Sequence, residues 1–163
     1  MSEMPTPKRR PTMAERRERK GAARFYAVQA LFQMEASDVP IGEITHQFET
    51  HRIGAETTEE TWVEADLPLF RRLIETVVER QAAIDQMTDR ALVAKWRIDR
   101  IDPTLRALFR AAGAELLASE TPVKVVISQF VDIAGAFFPE GREANFVNAV
   151  LDHMAREARA AEF

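Results

Sequence analysis

The chain has no cysteine, which excludes a disulfide framework and a thiolate metal site and is compatible with a reducing compartment. Its six glycines stand at 21, 42, 54, 113, 135 and 141, so there is neither a GxGxxG nor a GxxxxGK[ST] loop to cradle a nucleotide. No apolar run approaches the roughly 20 residues of a membrane span, and the basic start lacks the apolar centre of a signal peptide. The expectation is a cytoplasmic protein with no membrane association. Of three histidines, His46 and His51 are five apart, which does not stack them on one helical face, and His153 is remote, so no metal centre is expected. The acidic pairs Asp85/Asp89 and Asp99/Asp102 are the remaining candidates for acid–base work. Asp102 reads better as a helix N-cap and Asp85/Asp89 as a solvated helix face. The chain is expected not to be an enzyme and to need no cofactor.

What is present is an uneven charge distribution. The net charge is −4 over 163 residues, yet residues 1–24 hold eight Lys/Arg against Glu3, Glu15 and Glu18, a balance of +5 that leaves −9 for the rest. An acidic body with a basic start points to a local anion-binding surface, with nucleic acid as first candidate. Residues 1–15 contain Pro5, Pro7 and Pro11 and little apolar content, and read as a flexible basic arm. Residues 16–163 are expected to form one domain of ordinary size, a candidate for RNA binding.

The apolar spacing is helical throughout. From Ala22 the text AARFYAVQALFQM places Ala23, Ala27, Ala30, Leu31 and Met34 on one side and Phe25, Val28 and Phe32 nearly opposite, which predicts a helix packed on two sides at the centre of the fold. Cations in its first turn oppose the helix dipole and suit an anion. A short helix follows with Ile41, Ile44 and Phe48, then a polar acidic loop over 54–64 in which Trp62 is a candidate anchor. Asp66 with Pro68 starts a long stripe through Leu69, Phe70, Leu73, Val77 and Ile84, as one helix or two. Asp102-Pro103 and Thr121-Pro122 are further start signals. The helix after Thr121 is expected to end near Phe138-Pro139, with a turn at Glu140-Gly141-Arg142 and a last helix through Phe146, Val147, Val150, Leu151 and Met154. Nothing alternates with period two, so the fold class is all-α, a single compact domain of about six or seven helices.

Two features carry a binding hypothesis. Arg16, Arg17, Arg19, Lys20 and Arg24 fit phosphate contacts, and fit a solubilising tail as well. Phe137 and Phe146, flanking the turn that holds Arg142, fit stacking on unpaired bases or a place in the core.

Several strings in order resemble a known family. Lys20-Gly-Ala-Ala-Arg24, Ala27-Val-Gln-Ala-Leu-Phe32, Phe109-Arg110 with Glu115-Leu116, Thr121-Pro-Val-Lys-Val-Val-Ile127 and Asn145-Phe-Val-Asn-Ala-Val-Leu-Asp152 are similar to the transcription antitermination factor NusB family. The resemblance implies two packed helical bundles. It also implies binding of boxA single-stranded RNA together with the small-subunit ribosomal protein that acts as Nus factor E, and association with an RNA polymerase antitermination complex on ribosomal RNA operons. RNA contact carries over to Lys20 and Arg24 by match, to Arg16, Arg17 and Arg19 by proximity, and to Phe137 and Phe146 by their aromatic motifs. Ser128, Gln129 and Gly135 stand where the family has Asn-Glu and a later Lys, Ala149 replaces a glycine, and Gly21 and Ala22 occupy positions that are commonly basic. The alternative is a NusB-like RNA-targeting or protein-adaptor module in ribosomal RNA maturation, since such domains also occur fused to RNA cytosine methyltransferases.

Overall fold

A computed structural model describes residues 10–51, 64–92 and 97–163. The first nine residues of the arm, Trp62 with most of the acidic loop, and Trp96 lie outside them. The described chain forms α1 (Met13–Ala36), α2 (Ile41–His51), α3 (Leu67–Ala91), α4 (Pro103–Ala118), α5 (Val123–Phe137), α6 (Arg142–Ala158) and a 3-10 turn (Ala160–Glu162). No strand occurs among the described residues, as the period analysis requires.

Local chemistry sets the starts. The Asp66 carboxylate accepts the Leu69 N–H at 3.0 Å, and Asp102 accepts that of Thr104 at 2.7 Å, each followed by proline in the first turn. The Thr121-Pro122 signal is shifted by one residue: Thr121 N–H donates to Ser119 Oγ, Pro122 is the N-cap, and α5 has no side-chain cap. The long stripe is one helix, interrupted at Arg80 (φ −124°, ψ 22°). Gly141 takes φ 78° before α6, a left-handed turn conformation that favours glycine.

The largest shift in register concerns α1. Thr12 Oγ1 accepts the Glu15 N–H at 3.1 Å, a Thr-x-x-Glu start, so the helix begins upstream of its apolar text. Glu15, not a cation, occupies the first turn, and Arg16 to Lys20 extend from the end of that turn into the second. The expected conflict with the helix dipole is absent.

The centre of the fold belongs to α4, in which every residue from Ala107 to Leu116 is buried, the pattern of a helix enclosed on all sides. It packs against α1, α3, α5 and α6, while α1 also touches α2 and α3, and α5 packs on α6. One set of helices, α1–α3, thus meets a second, α4–α6, chiefly through α4, with α3 also packed on α6. The sequence placed α1 at the centre, but Phe32 is 40% exposed, so the second apolar side of α1 is only partly covered. Close approach of α3 and α4 depends on Gly113, where an added Cβ would lie 2.6 Å from Ile84 Cγ2.

Candidate nucleic-acid interface

The backbone N–H of Asp66 donates to the Arg19 carbonyl at 3.0 Å and holds the start of α3 against α1. Arg17, Lys20 and Arg24 are spaced i, i+3, i+7 and share a helical face. That face, the first turns of α3 and the first turns of α5 enclose a cleft of about 910 Å³. Arg16, Arg19 and Lys20 border a smaller hollow of about 300 Å³ against Ala65–Pro68.

The five candidate cations of α1 have three different fates. Arg16, Arg17 and Lys20 have no ion-pair or side-chain hydrogen-bond partner among the described residues, so their charge is uncompensated at short range. Arg19 pairs with Glu64 at 3.0 Å, both side chains being well exposed. Such a pair is worth about 0–1 kcal/mol and exchanges readily for another anion. Arg24 is different: it is 2% exposed, and its Nε and Nη2 donate to the two Glu115 carboxylate oxygens at 2.7 and 2.8 Å. Its Nη1 donates to Gln129 Oε1 at 3.2 Å. Glu115 is itself 1% exposed. The assignment of Arg24 to phosphate contact is therefore corrected, because both its donors and its charge are committed inside the fold.

The aromatic candidates lie elsewhere. Phe137 is half-buried and stacks on Phe25, with centroids 5.1 Å apart and planes 3° from parallel. Phe146, also half-buried, meets Phe109 edge-on at 6.1 Å. Neither lines the cleft. Phe137 closes the C-terminal end of α5, thirteen residues, or about 20 Å of helix, from Lys124 at its start. Arg142 is the first residue of α6. The structure thus brings Arg17 and Lys20 together at one end of α5 and leaves Phe137 at the other.

Two cations in the cleft were missed. Arg72 of α3 and Lys124 of α5 line it with Arg17 and Lys20, and both are exposed without an ion-pair partner among the described residues. Lys124 stood inside a quoted motif, and Arg72 fell off the apolar stripe. Only tertiary packing joins them to α1. Ser128 and Gln129 also line the cleft, and Gln129 Oε1 would lie 3.3 Å from a Cβ at Gly21. The missing basic residue at 21 and the neutral pair on α5 thus face each other.

Asp85, Asp89 and Asp102 are each engaged by a hydrogen bond within the fold. Asp85 accepts from Arg110 Nε and Nη2 at 3.0 and 2.9 Å, and Asp89 accepts the Ile98 N–H at 2.9 Å, so the expected solvated face ties α3 to α4 and to the turn before it. Arg110 also reaches Glu35 at 3.1 Å, and Arg106 grips the same carboxylate through Nε at 2.8 Å and through Nη2. The Arg106 hydrogen bond holds the Glu35 carboxyl below its ordinary value, against the opposing effect of burial. No helix among the described residues is long and apolar enough to cross a membrane.

Comparison with known proteins gives concordant matches. A profile of the NusB family matches residues 21–156. The transcription antitermination protein NusB of Maricaulis maris is 46% identical over 143 residues, 87% of this chain and 89% of that protein. The solved structure of T. maritima NusB is similar with a TM-score of 0.70 at 27% identity, covering 88% of this chain and 95% of that one. A structure of the antitermination factors NusB and NusE in complex with dsRNA has a chain of the same fold, with a TM-score of 0.67 at 24% identity, 90% of this chain and 99% of that chain being covered.

Proposed function

The chain belongs to the NusB family, and from that premise we propose that it is a transcription antitermination factor that binds boxA single-stranded RNA of ribosomal RNA operons jointly with the ribosomal protein acting as Nus factor E. The complex then joins RNA polymerase and suppresses premature termination. In this reading the protein works in the cytoplasm as a regulatory RNA-binding factor and not as a catalyst. The observation that carries it is the run of uncompensated cations, Arg16, Arg17 and Lys20, on the opening turns of α1. Folding leaves these charges unpaired at the edge of a cleft, where phosphates supply the missing partners.

Arg19 joins them by exchanging Glu64 for phosphate, and the residues before α1 act as a basic arm that extends the contacts. Phe137, Arg142 and Phe146 form a second contact region at the α5–α6 turn. The family likeness supports the partner, and the solved NusB–NusE complex belongs to a relative of the same fold.

The acidic body supplies few phosphate contacts alone, so the isolated chain binds RNA weakly and NusE tightens it. By linkage, RNA tightens the protein–protein contact by the same factor. Titration of boxA RNA with and without NusE tests this; equal affinities would remove the cooperative reading.

A further inference from the structure

The cleft beside α1 is lined by two kinds of side chain. Cations enter from three helices: Arg17 and Lys20 from α1, Arg72 from α3 and Lys124 from α5. None has an ion-pair partner among the described residues. Two carboxylates also line the cleft, Asp66, which caps α3, and Glu120, against these four cations. Apolar side chains at the starts of α3 and α5, Leu69, Pro122 and Val125, line it as well. Val125 is one of few large apolar side chains left substantially exposed, at 43%.

The first turn of α5 has no side-chain cap, which leaves its opening N–H groups and the positive end of its dipole beside Lys124. A volume near 910 Å³ lies within the range of preformed ligand sites. Cations and apolar side chains together match a nucleotide, which is an anion joined to a flat apolar-faced base. They match a duplex poorly, since paired bases cannot leave the stack to reach the apolar side chains.

We propose, on the footing of the RNA-binding reading, that this cleft seats one unpaired nucleotide of the bound RNA, its phosphate among Lys20, Arg72 and Lys124 and its base against Leu69, Pro122 and Val125. Arg24 also lines the cleft, but its charge is neutralised by Glu115. Paired to Glu115 and Gln129, it fixes the floor on which Lys20 and α5 stand. The RNA path then runs from the opening turns of α1 across the start of α5, and preference for single strands over duplex arises here.

The test uses the full chain with a single-stranded boxA oligonucleotide carrying 4-thiouridine at successive positions. Irradiation should give one position that cross-links to the peptide holding Lys124 and Val125. Arg72→Ala with Lys124→Ala should flatten the salt dependence of log affinity by roughly 1.4, at about 0.7 per phosphate contact. Val125→Ser, at an exposed position that does not threaten the fold, should weaken single-stranded RNA several-fold and leave the salt slope unchanged. Loss of binding on Arg16→Ala with Arg17→Ala, but not on Arg72→Ala with Lys124→Ala, would overturn the cleft and leave the RNA-binding reading standing. Insensitivity of RNA affinity to both double variants overturns the cleft and moves the RNA surface to Phe137, Arg142 and Phe146, whereas absence of any boxA binding, with or without NusE, overturns the RNA-binding reading itself. Unchanged RNA binding with weakened NusE binding in the cleft variants would mean that a protein segment occupies it, and overturns the proposal.

Discussion

Removing one partner of the Arg24–Glu115 pair would strand a full charge in a site that is 2% or 1% exposed. Breaking a buried, doubly hydrogen-bonded pair in this way typically costs about 3–5 kcal/mol. Glu115→Gln should therefore lower stability by that order, and Arg24→Met with Glu115→Leu should cost much less, because it removes both charges. Urea melts of the two variants check this; a Glu115→Gln protein as stable as its parent would show that the pair contributes nothing. Gly113 is decided by a second competition of magnitudes. Alanine in a helix gains up to about 1 kcal/mol over glycine, but here its Cβ would meet Ile84 Cγ2 at 2.6 Å, and overpacking a core costs about 1–3 kcal/mol. Gly113→Ala should destabilise. Gly135→Ala, with nothing within 4 Å, should stabilise by up to about 1 kcal/mol, and thermal melts of the two should move in opposite directions.

Elements were legible where their signals are local. Asp66 and Asp102 cap helices within three residues of themselves, so the sequence reveals them. Thr121 is not the cap, because Pro122 takes that position and Thr121 belongs to the preceding turn, where its N–H donates to Ser119 Oγ. The helix after Asp102-Pro103 was legible but its central place was not, since Arg110 and Glu115 interrupt the apolar text of α4 and their partners Asp85 and Arg24 stand 25 and 91 residues away. The ties between elements also predict a pH dependence. Glu35, near the end of α1, is held below its unfolded value of 4.5, chiefly by the hydrogen bond from Arg106 on α4. A carboxyl lowered on folding contributes stability above the unfolded value and loses it as pH falls through the folded one. Glu35→Gln should lower Tm at neutral pH, and the gap to the parent should close as pH drops below 4.5. A gap independent of pH would mean that the charge on Glu35 is not what joins the helices.

On the scale of the molecule, the balance of +5 before residue 25 against −9 after it is redistributed by folding. Arg24 is neutralised inside, while Arg72 and Lys124 bring positive charge from the acidic body to the α1 cleft. The α1 cations of the candidate site were legible because they are contiguous; the other half was not, because α3 and α5 meet α1 only in the folded chain. With Arg24 withdrawn, α1 offers four phosphate contacts at most, which sets its share of the salt slope for single-stranded RNA at roughly −3, at about −0.7 per contact. Arg16→Ala, Arg17→Ala, Arg19→Ala and Lys20→Ala together should remove most of that share. Folding stability should barely change, since three of the four side chains have no partner among the described residues and Arg19 loses only an exposed pair with Glu64, worth about 0–1 kcal/mol. The slope, measured by titration across salt concentrations, and the Tm separate the two roles: a fall in Tm with an unchanged slope would make these cations part of the fold, and the RNA surface would then lie at Phe137, Arg142 and Phe146.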